Sequence, residues 1–444
     1  MKKLTSFILV ALALSFPSCQ QQQLIETKDT KMLLIGIDGA TWKIIDRLLA
    51  AGELPTLQYL IDGGARAPLK TLEPTLSPAI WTTIATGKLP DRHGILGFDG
   101  VPGLTMKTLP TSQMRKTKAV WNILSDREKT VGFINWWCTW PAEKVNGFMI
   151  SDRATYNRME ASIHKEVTSP YDTYPENLMT EIRKFVEKPD AIASEAIKQF
   201  MLLDDGEIEK YMKSGSYQMG NLFQEFKYVY QSDKAVASMG NHLLAERTPD
   251  LLGIYFSGVD VVSHLYWHFM EPEYFTHHAI PPAHIARFNK VIERYYVLID
   301  HYIGDLLKKA NERYTIVIVS DHGFGATGNL PWSGGHGRIT PGAPVAPDGI
   351  LIMSGRNIKK GKQLSSAHVL DILPTILHLF ALPLGRDMEG KILFEALDKN
   401  VPKEPRYIDS YDTRYPARKE TPLMGDPERD SALVNKLKSL GYVE

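Results

Sequence analysis

Aspartate and histidine recur at the ends of apolar runs in this chain. Asp38 follows Met32-Leu33-Leu34-Ile35-Gly36-Ile37, and Asp321-His322 follows Tyr314-Thr315-Ile316-Val317-Ile318-Val319-Ser320. Between them, Asp260 and His264 stand four residues apart, so both fall on one face of a helical turn. His336 sits in the glycine-rich stretch Gly334-Gly335-His336-Gly337. Carboxylate oxygens mixed with imidazole nitrogens form a donor set for zinc or another borderline divalent ion. A hydroxyl that such ions could activate is supplied by Ser77, in Glu73-Pro74-Thr75-Leu76-Ser77-Pro78, directly ahead of an apolar helical segment. At a helix N-terminus, unpaired backbone N–H groups and the helix dipole favour an anion, and coordination to a cation can activate a serine without a histidine base. Each residue alone has a plainer reading: Asp38-Gly39 as a turn, Asp260 as a helix cap, His322 as a satisfied polar contact, Ser77 as an N-cap. Shared chemistry and shared position at strand ends favour the functional reading.

Strand-length apolar runs alternate with segments of helical period, the pattern of a parallel sheet covered by helices. Strands are expected at Met32–Ile37, Thr130–Asn135, Leu251–Ser257, Thr315–Ser320 and Gly349–Met353. Their nearly unbroken hydrophobicity suits burial on both faces. The clearest helix spans Ile285–Leu307, where Phe288, Val291, Ile292, Tyr295, Leu298, Ile299, Tyr302, Ile303 and Leu306 recur every three or four positions. Further helices are expected at Trp42–Ala51, Ile80–Thr86, Ala119–Ser125 and Val369–Phe380. The fold class is therefore α/β, a mostly parallel central sheet with helices on both faces. Ligands of such sheets gather beyond the C-terminal strand ends, where Asp38, Asp260 and Asp321-His322 all lie.

The 444 residues suffice for one large domain with an insertion. Residues 32–153 and 235–395 form the expected core. Residues 154–234, rich in tyrosine, glutamate and lysine, form a helical cap insertion over the sheet, and 396–444 form a charged, proline-containing surface tail. Lys+Arg and Asp+Glu are equal at 51 each, so no overall field draws the chain to a nucleic acid polymer. Residues 1–19 read as an export signal: Lys2 and Lys3 precede an uncharged stretch too short to span a bilayer comfortably. The ending Leu14-Ser15-Phe16-Pro17-Ser18-Cys19 resembles a lipoprotein signal with Cys19 as the acylated residue; ordinary cleavage is the alternative. Residues 20–31 read as a polar tether, which gives a lipid-anchored protein of the bacterial cell envelope, in the periplasm or on the outer membrane. Cys138, among tryptophans, reads as a small buried hydrophobe.

Gly36-Ile37-Asp38-Gly39, Pro74-Thr75-Leu76-Ser77-Pro78, Ala85-Thr86-Gly87, Pro90-Asp91-Arg92-His93-Gly94-Ile95, Asp260-x-x-x-His264, Ser320-Asp321-His322-Gly323 and Gly335-His336-Gly337 occur in this order. In these motifs the chain resembles the alkaline phosphatase superfamily, nearest to its type I phosphodiesterase and nucleotide pyrophosphatase branch. The resemblance implies two divalent metal ions, zinc being expected. Asp260, His264 and His336 would hold one, and Asp38, Asp321 and His322 the other together with the Ser77 oxygen. It further implies attack of Ser77 on a small phosphate ester, a phosphoseryl intermediate, and hydrolysis of that intermediate by water.

Three departures bear on the substrate. Ser77 stands where nucleotide pyrophosphatases commonly carry threonine. Leu96, Gly97, Phe98 and Asp99 follow Ile95 where those enzymes place an asparagine that contacts a phosphate oxygen. No arginine motif for a dianionic phosphate is evident. The expected substrates are accordingly phosphodiesters or phosphonate-type monoanions. A phosphomonoesterase, or a binding lipoprotein without turnover, is the alternative. Sulfatases, related by fold, carry Cys/Ser-x-Pro-x-Arg, whereas here proline follows Ser77 at once and the fourth residue on is Trp81. His93 is expected to hold a loop, and His268 to pack or to line a pocket. Tyr156, Asn157 and Arg158 are candidates for reaching a leaving group.

Overall fold

The structure, a computed structural model, describes residues 30–98, 109–155, 169–213, 222–275, 279–326, 334–335 and 347–414. Its strands are, in chain order, β1 (Lys31–Ile37), β2 (Gly64–Lys70), β3 (Val131–Ile134), β4 (Gly147–Ile150), β5 (Thr173–Tyr174), β6 (Leu251–Phe256), β7 (Tyr314–Val319), β8 (Gly325–Ala326), β9 (Gly334–Gly335), β10 (Gly349–Ser354), β11 (Lys362–Gln363), β12 (Ala367–His368), β13 (Leu384–Gly385) and β14 (Tyr407–Ile408). Ten of them form one sheet in the order β11-β2-β10-β7-β1-β6-β3-β4-β5, with β12 also on β2. The centre, β7-β1-β6-β3-β4, is parallel throughout. β10 runs antiparallel to both β7 and β2. All the expected strands are present. The sequence reading passed over β2, whose Gly-Ala-Arg-Ala-Pro-Leu-Lys lacks an apolar run, and the four-residue β4.

Alternation along each strand divides the core between the two faces. Leu33, Ile35 and Ile37 join Ile254, Phe256, Ile316 and Ile318 on one face. Helices Leu222–Arg247, Gly258–Met270 and Val291–Ala310 supply the covering side chains there. Met32 and Leu34 join Phe133, Val317, Val319 and Leu351 on the other, with helices Ser77–Thr86, Val120–Ser125 and Ile372–Leu379. The long expected helix is two, Pro282–Phe288 and Val291–Ala310, separated by a turn at Asn289-Lys290. The apolar period runs through that turn, which is why the sequence read as one helix.

The boundary drawn at 234/235 falls inside the continuous Leu222–Arg247 helix. Ile182, Ile197, Phe200 and Phe226 from the expected insertion join the same core as β1 and β6, so this segment builds one face of the sheet. Ala396, Leu397, Val401 and Tyr411 of the expected tail are likewise buried, against the opposite face. No helix among the described residues is long and apolar enough to cross a membrane. The export signal, Cys19 and Tyr156-Asn157-Arg158 lie outside the described residues, as does most of the tether.

Candidate metal centre

The backbone course from β1 and β7 dictates where the chemistry gathers. Gly36 pairs with Tyr255 on one side and Val319 on the other, so the segments that follow these strands emerge together at one sheet edge. There the Gly39 amide donates to Asp321 Oδ1 at 3.4 Å, and the Ala40 amide donates to Ser320 Oγ at 2.9 Å. Ser320 Oγ in turn donates to the His322 carbonyl at 2.7 Å. The loop after β1 is thus stitched to the loop after β7.

Asp38, Asp321 and His322 are buried and offer one ligand atom each within 4.8 Å of one another. His322 Nε2 lies 3.4 Å from both Asp38 Oδ1 and Asp321 Oδ2. His322 Nδ1 faces the Gly323 carbonyl at 2.9 Å, which requires a proton on Nδ1 and leaves Nε2 facing the carboxylates.

Two aromatic donors fix the remaining oxygen of Asp38. The Tyr255 hydroxyl and Trp81 Nε1 both donate to Oδ2, the indole at 3.1 Å. Gly36 makes this possible. It shares a face with Asp38, two residues on, and a Cβ there would come within 2.7 Å of the Trp81 ring. Trp137 Nε1 donates to the Tyr255 hydroxyl at 2.7 Å, extending the chain of donors. Asp38 Oδ1 and Asp321 Oδ2 accept no hydrogen bond among the described residues.

Two anions at such depth need a cation. Burial first, then Asp38, raise the Asp321 carboxyl well above the ordinary carboxylate range. Burial would lower the His322 imidazole, yet Asp321, Asp38 and Asp260 together push it up to about 10. The same field that draws a proton to His322 draws a divalent ion, and carboxylate plus imidazole suits zinc, manganese or iron. The residues present therefore fit a metal.

Asp260 and His264 occupy the first turns of the helix Gly258–Met270, both buried, with Asp260 Oδ1 3.4 Å from His264 Nε2. Asp260 rests on the loop after β1. A Cβ at Gly39, where φ is +68°, would stand 3.0 Å from Asp260 Cβ and 3.1 Å from Oδ1, so only glycine suits that position. The His264 ring meets Phe324 edge to face at 4.8 Å, joining this helix to the segment after Asp321-His322. The ribbon β8–β9 lies against the same helix and ends at Gly335. His336 lies outside the described residues.

Ser77 opens its helix with Pro78 at the second position and is buried. Trp81, four residues on and on the same helical face, is the residue bound to Asp38. A helix of ten residues with an apolar flank thus tethers the hydroxyl segment to the carboxylate cluster.

His93 is a loop holder. It accepts from the Ile95 amide at Nδ1 (3.2 Å) and meets Thr83 Oγ1 through Nε2 (3.0 Å), while burial and then Arg115 lower its pKa to about 3. His268 is buried beside Phe269 and Phe275, and burial lowers its pKa to about 4. Cys138 is buried and burial raises its thiol pKa strongly, which agrees with a packing role.

Sequence reasoning missed Trp81 and Tyr255, which lie inside apolar segments and carry no signal of a polar role. It also missed Arg153. That guanidinium is 3 % exposed, follows β4 at the same sheet edge, stacks 4.1 Å from the Trp140 ring centroid, and has Nη2 without a hydrogen-bond partner among the described residues. A buried cationic N–H of this kind can receive an anion.

The sequence model of the type I phosphodiesterase/nucleotide pyrophosphatase family matches residues 32–332, more than half of the chain. The chain belongs to this family. As a family member it is a phosphoester hydrolase, with Asp38, Asp321 and His322 as a possible metal site. No protein of the curated set matches the sequence. Among solved structures, a protein of Bacteroides thetaiotaomicron VPI-5482 assigned as a sulfatase is 12 % identical, with a TM-score of 0.50 over 85 % of this chain and 76 % of that one. Alkaline phosphatase PafA is 13 % identical (TM-score 0.48, 83 % and 99 % covered). Mouse ectonucleotide pyrophosphatase/phosphodiesterase 5 is 13 % identical (TM-score 0.45, 83 % and 100 % covered). At 12 % identity and a TM-score of 0.50, the likeness to the first of these is one of fold alone.

Proposed function

We propose that the protein is an exported two-metal phosphohydrolase that cleaves phosphodiesters or related phosphate and phosphonate esters through a phosphoseryl intermediate on Ser77. The observation that carries this reading is the buried Asp38–Asp321–His322 cluster, with one carboxylate oxygen on each aspartate left without a donor among the described residues. In this reading Asp38, Asp321 and His322 hold one ion with the Ser77 oxygen, and Asp260, His264 and His336 hold the other; zinc is the favoured ion. Bound there, the ions would lower the pKa of the serine hydroxyl and neutralise charge on the phosphoryl oxygens. The Ser77 oxygen attacks phosphorus, the bond to the leaving alkoxide breaks, and water then cleaves the phosphoserine and returns the hydroxyl. Backbone N–H groups at the start of the Ser77 helix favour negative charge at that oxygen.

Small esters are the proposed substrates; a mouse ectonucleotide pyrophosphatase/phosphodiesterase 5 structure holds AMP. Arg153 favours a second reading, a phosphomonoesterase, because a buried guanidinium with an open N–H would suit the second charge of a monoester dianion. Hydrolysis of bis(p-nitrophenyl) phosphate, p-nitrophenyl phosphate and a phosphonate monoester by zinc-loaded protein decides between them. Faster diester turnover supports the first reading and faster monoester turnover the second. No turnover of any of the three leaves a binding protein. Ser77→Ala is expected to keep the bound metal and abolish turnover; unchanged turnover would remove Ser77 from the reaction. The N-terminal segment supports attachment to the cell envelope through lipidated Cys19, and Cys19→Ser should release the protein from the membrane fraction.

A further inference from the structure

The helix that carries Asp260 and His264 is not capped by its own residues. Ser257, at its N-cap, makes no side-chain cap hydrogen bond. The cap comes from Asp233, in the middle of the Leu222–Arg247 helix. Asp233 Oδ1 accepts from the Ser257 amide at 3.2 Å, and Oδ2 accepts from the Gly258 amide at 3.0 Å and from the Tyr295 hydroxyl at 3.0 Å. The carboxylate is 0 % exposed. Any Cβ at Gly258 would stand 2.3 Å from Asp233 Oδ2 and 2.2 Å from the Tyr295 hydroxyl, so the fit is closed around a bare glycine. The neighbouring Ser232 hydroxyl meets Thr155 Oγ1 at 3.0 Å, beyond the end of β4, so the same turn of helix grips two strand ends.

We infer that Asp233 is a positioning residue of the metal centre: through the Ser257 and Gly258 amides it sets the depth and rotation of the helix that presents Asp260 and His264. The geometry leaves little freedom. Asp260 lies two residues beyond the capped amide, and its carboxylate rests against Gly39 in the loop that carries Asp38. A helix loosened at its first turn would shift Asp260 and His264 together relative to Asp38. The inference rests on the reading that Asp260 and His264 bind metal.

The chain also contains an internal control. Asp300 caps the Pro55–Asp62 helix from a distance in the same manner, accepting from the Thr56 and Leu57 amides at 3.1 and 2.8 Å, but that helix carries no expected ligand. The test is zinc affinity by chelator competition, measured beside the unfolding temperature of the metal-free protein, for Asp233→Asn, Tyr295→Phe, Asp300→Asn and the ligand variants Asp260→Asn and His264→Ala. Asp233→Asn should weaken zinc binding by about 10- to 100-fold and Tyr295→Phe by less. Asp300→Asn should lower the unfolding temperature and leave zinc affinity unchanged. Unchanged affinity in Asp233→Asn, with weakened affinity in both ligand variants, would overturn the positioning role. Unchanged affinity in the ligand variants would instead overturn the metal-ligand reading, and the inference would fall with it. Should Asp233→Asn fail to fold, Tyr295→Phe carries the same comparison.

Discussion

Two buried carboxylates, each bound by a tryptophan indole, have opposite surroundings. Glu143 faces Arg115 at 2.7 Å, takes the Trp121 indole at 2.8 Å on the same oxygen, and receives Asn122 Nδ2 at 3.4 Å on the other. Charge is matched by charge and both oxygens have donors. Asp38 takes the Trp81 indole and the Tyr255 hydroxyl on one oxygen, has no donor on the other among the described residues, and faces a second carboxylate, Asp321. The first arrangement is complete and acts as a staple. The second is anionic and open at one point, the condition of a site built around a cation.

Breaking the two arrangements should therefore have different consequences. The largest effect is expected from Asp38→Asn or Asp321→Asn, which remove ligand charge: turnover should fall on the order of 10³-fold or more, with loss of bound metal in elemental analysis, while the metal-free protein gains stability from the removed repulsion. Next comes Arg115→Met, which strands Glu143 and should cost about 3–5 kcal/mol in denaturant unfolding with metal content unchanged. Adding Glu143→Leu should recover much of that loss, whereas no second substitution should restore metal to Asp38→Asn. Tyr255→Phe frees Asp38 to rotate and should weaken metal binding about 10- to 100-fold, measured by chelator competition.

The smallest effect concerns His93. Burial holds its imidazole neutral, with a pKa of about 3. The unfolded chain binds this proton below about pH 6.5 and the folded chain does not, so the contribution is full above that pH and is lost as pH falls toward 3. Its slope is at most about 1.4 kcal/mol per pH unit. His93→Gln should flatten that part of the acid dependence of the urea midpoint.

What was legible in the sequence follows the same division. Asp38, Asp260 and Asp321-His322 end long apolar strands or open the helix after one, so the local pattern announces them. Asp233, Trp81 and Tyr255 are invisible to local pattern because their partners lie far along the chain: Asp233 is a polar residue in a helix, and the other two read as core aromatics. The boundary drawn at 234/235 falls inside a helix for a related reason. The Leu222–Arg247 helix buries Phe226, Val236 and Leu243 against the core, but Gln231, Ser232 and Asp233 interrupt its apolar stripe. Composition alone, rich in tyrosine, glutamate and lysine up to Lys234, does not show that this helix runs on to Arg247. β2 escaped notice because its burial comes from pairing with β10, not from its own composition.

If the protein works as proposed, Asp38, Asp321 and His322 enclose a catalytic cation. Anomalous diffraction at the zinc edge, from crystals of protein verified as active, tests it most directly. A peak bounded by Asp38, Asp321 and His322 is expected, with a second beside Asp260 and His264. Active protein with no anomalous density at Asp38, Asp321 and His322 would contradict it.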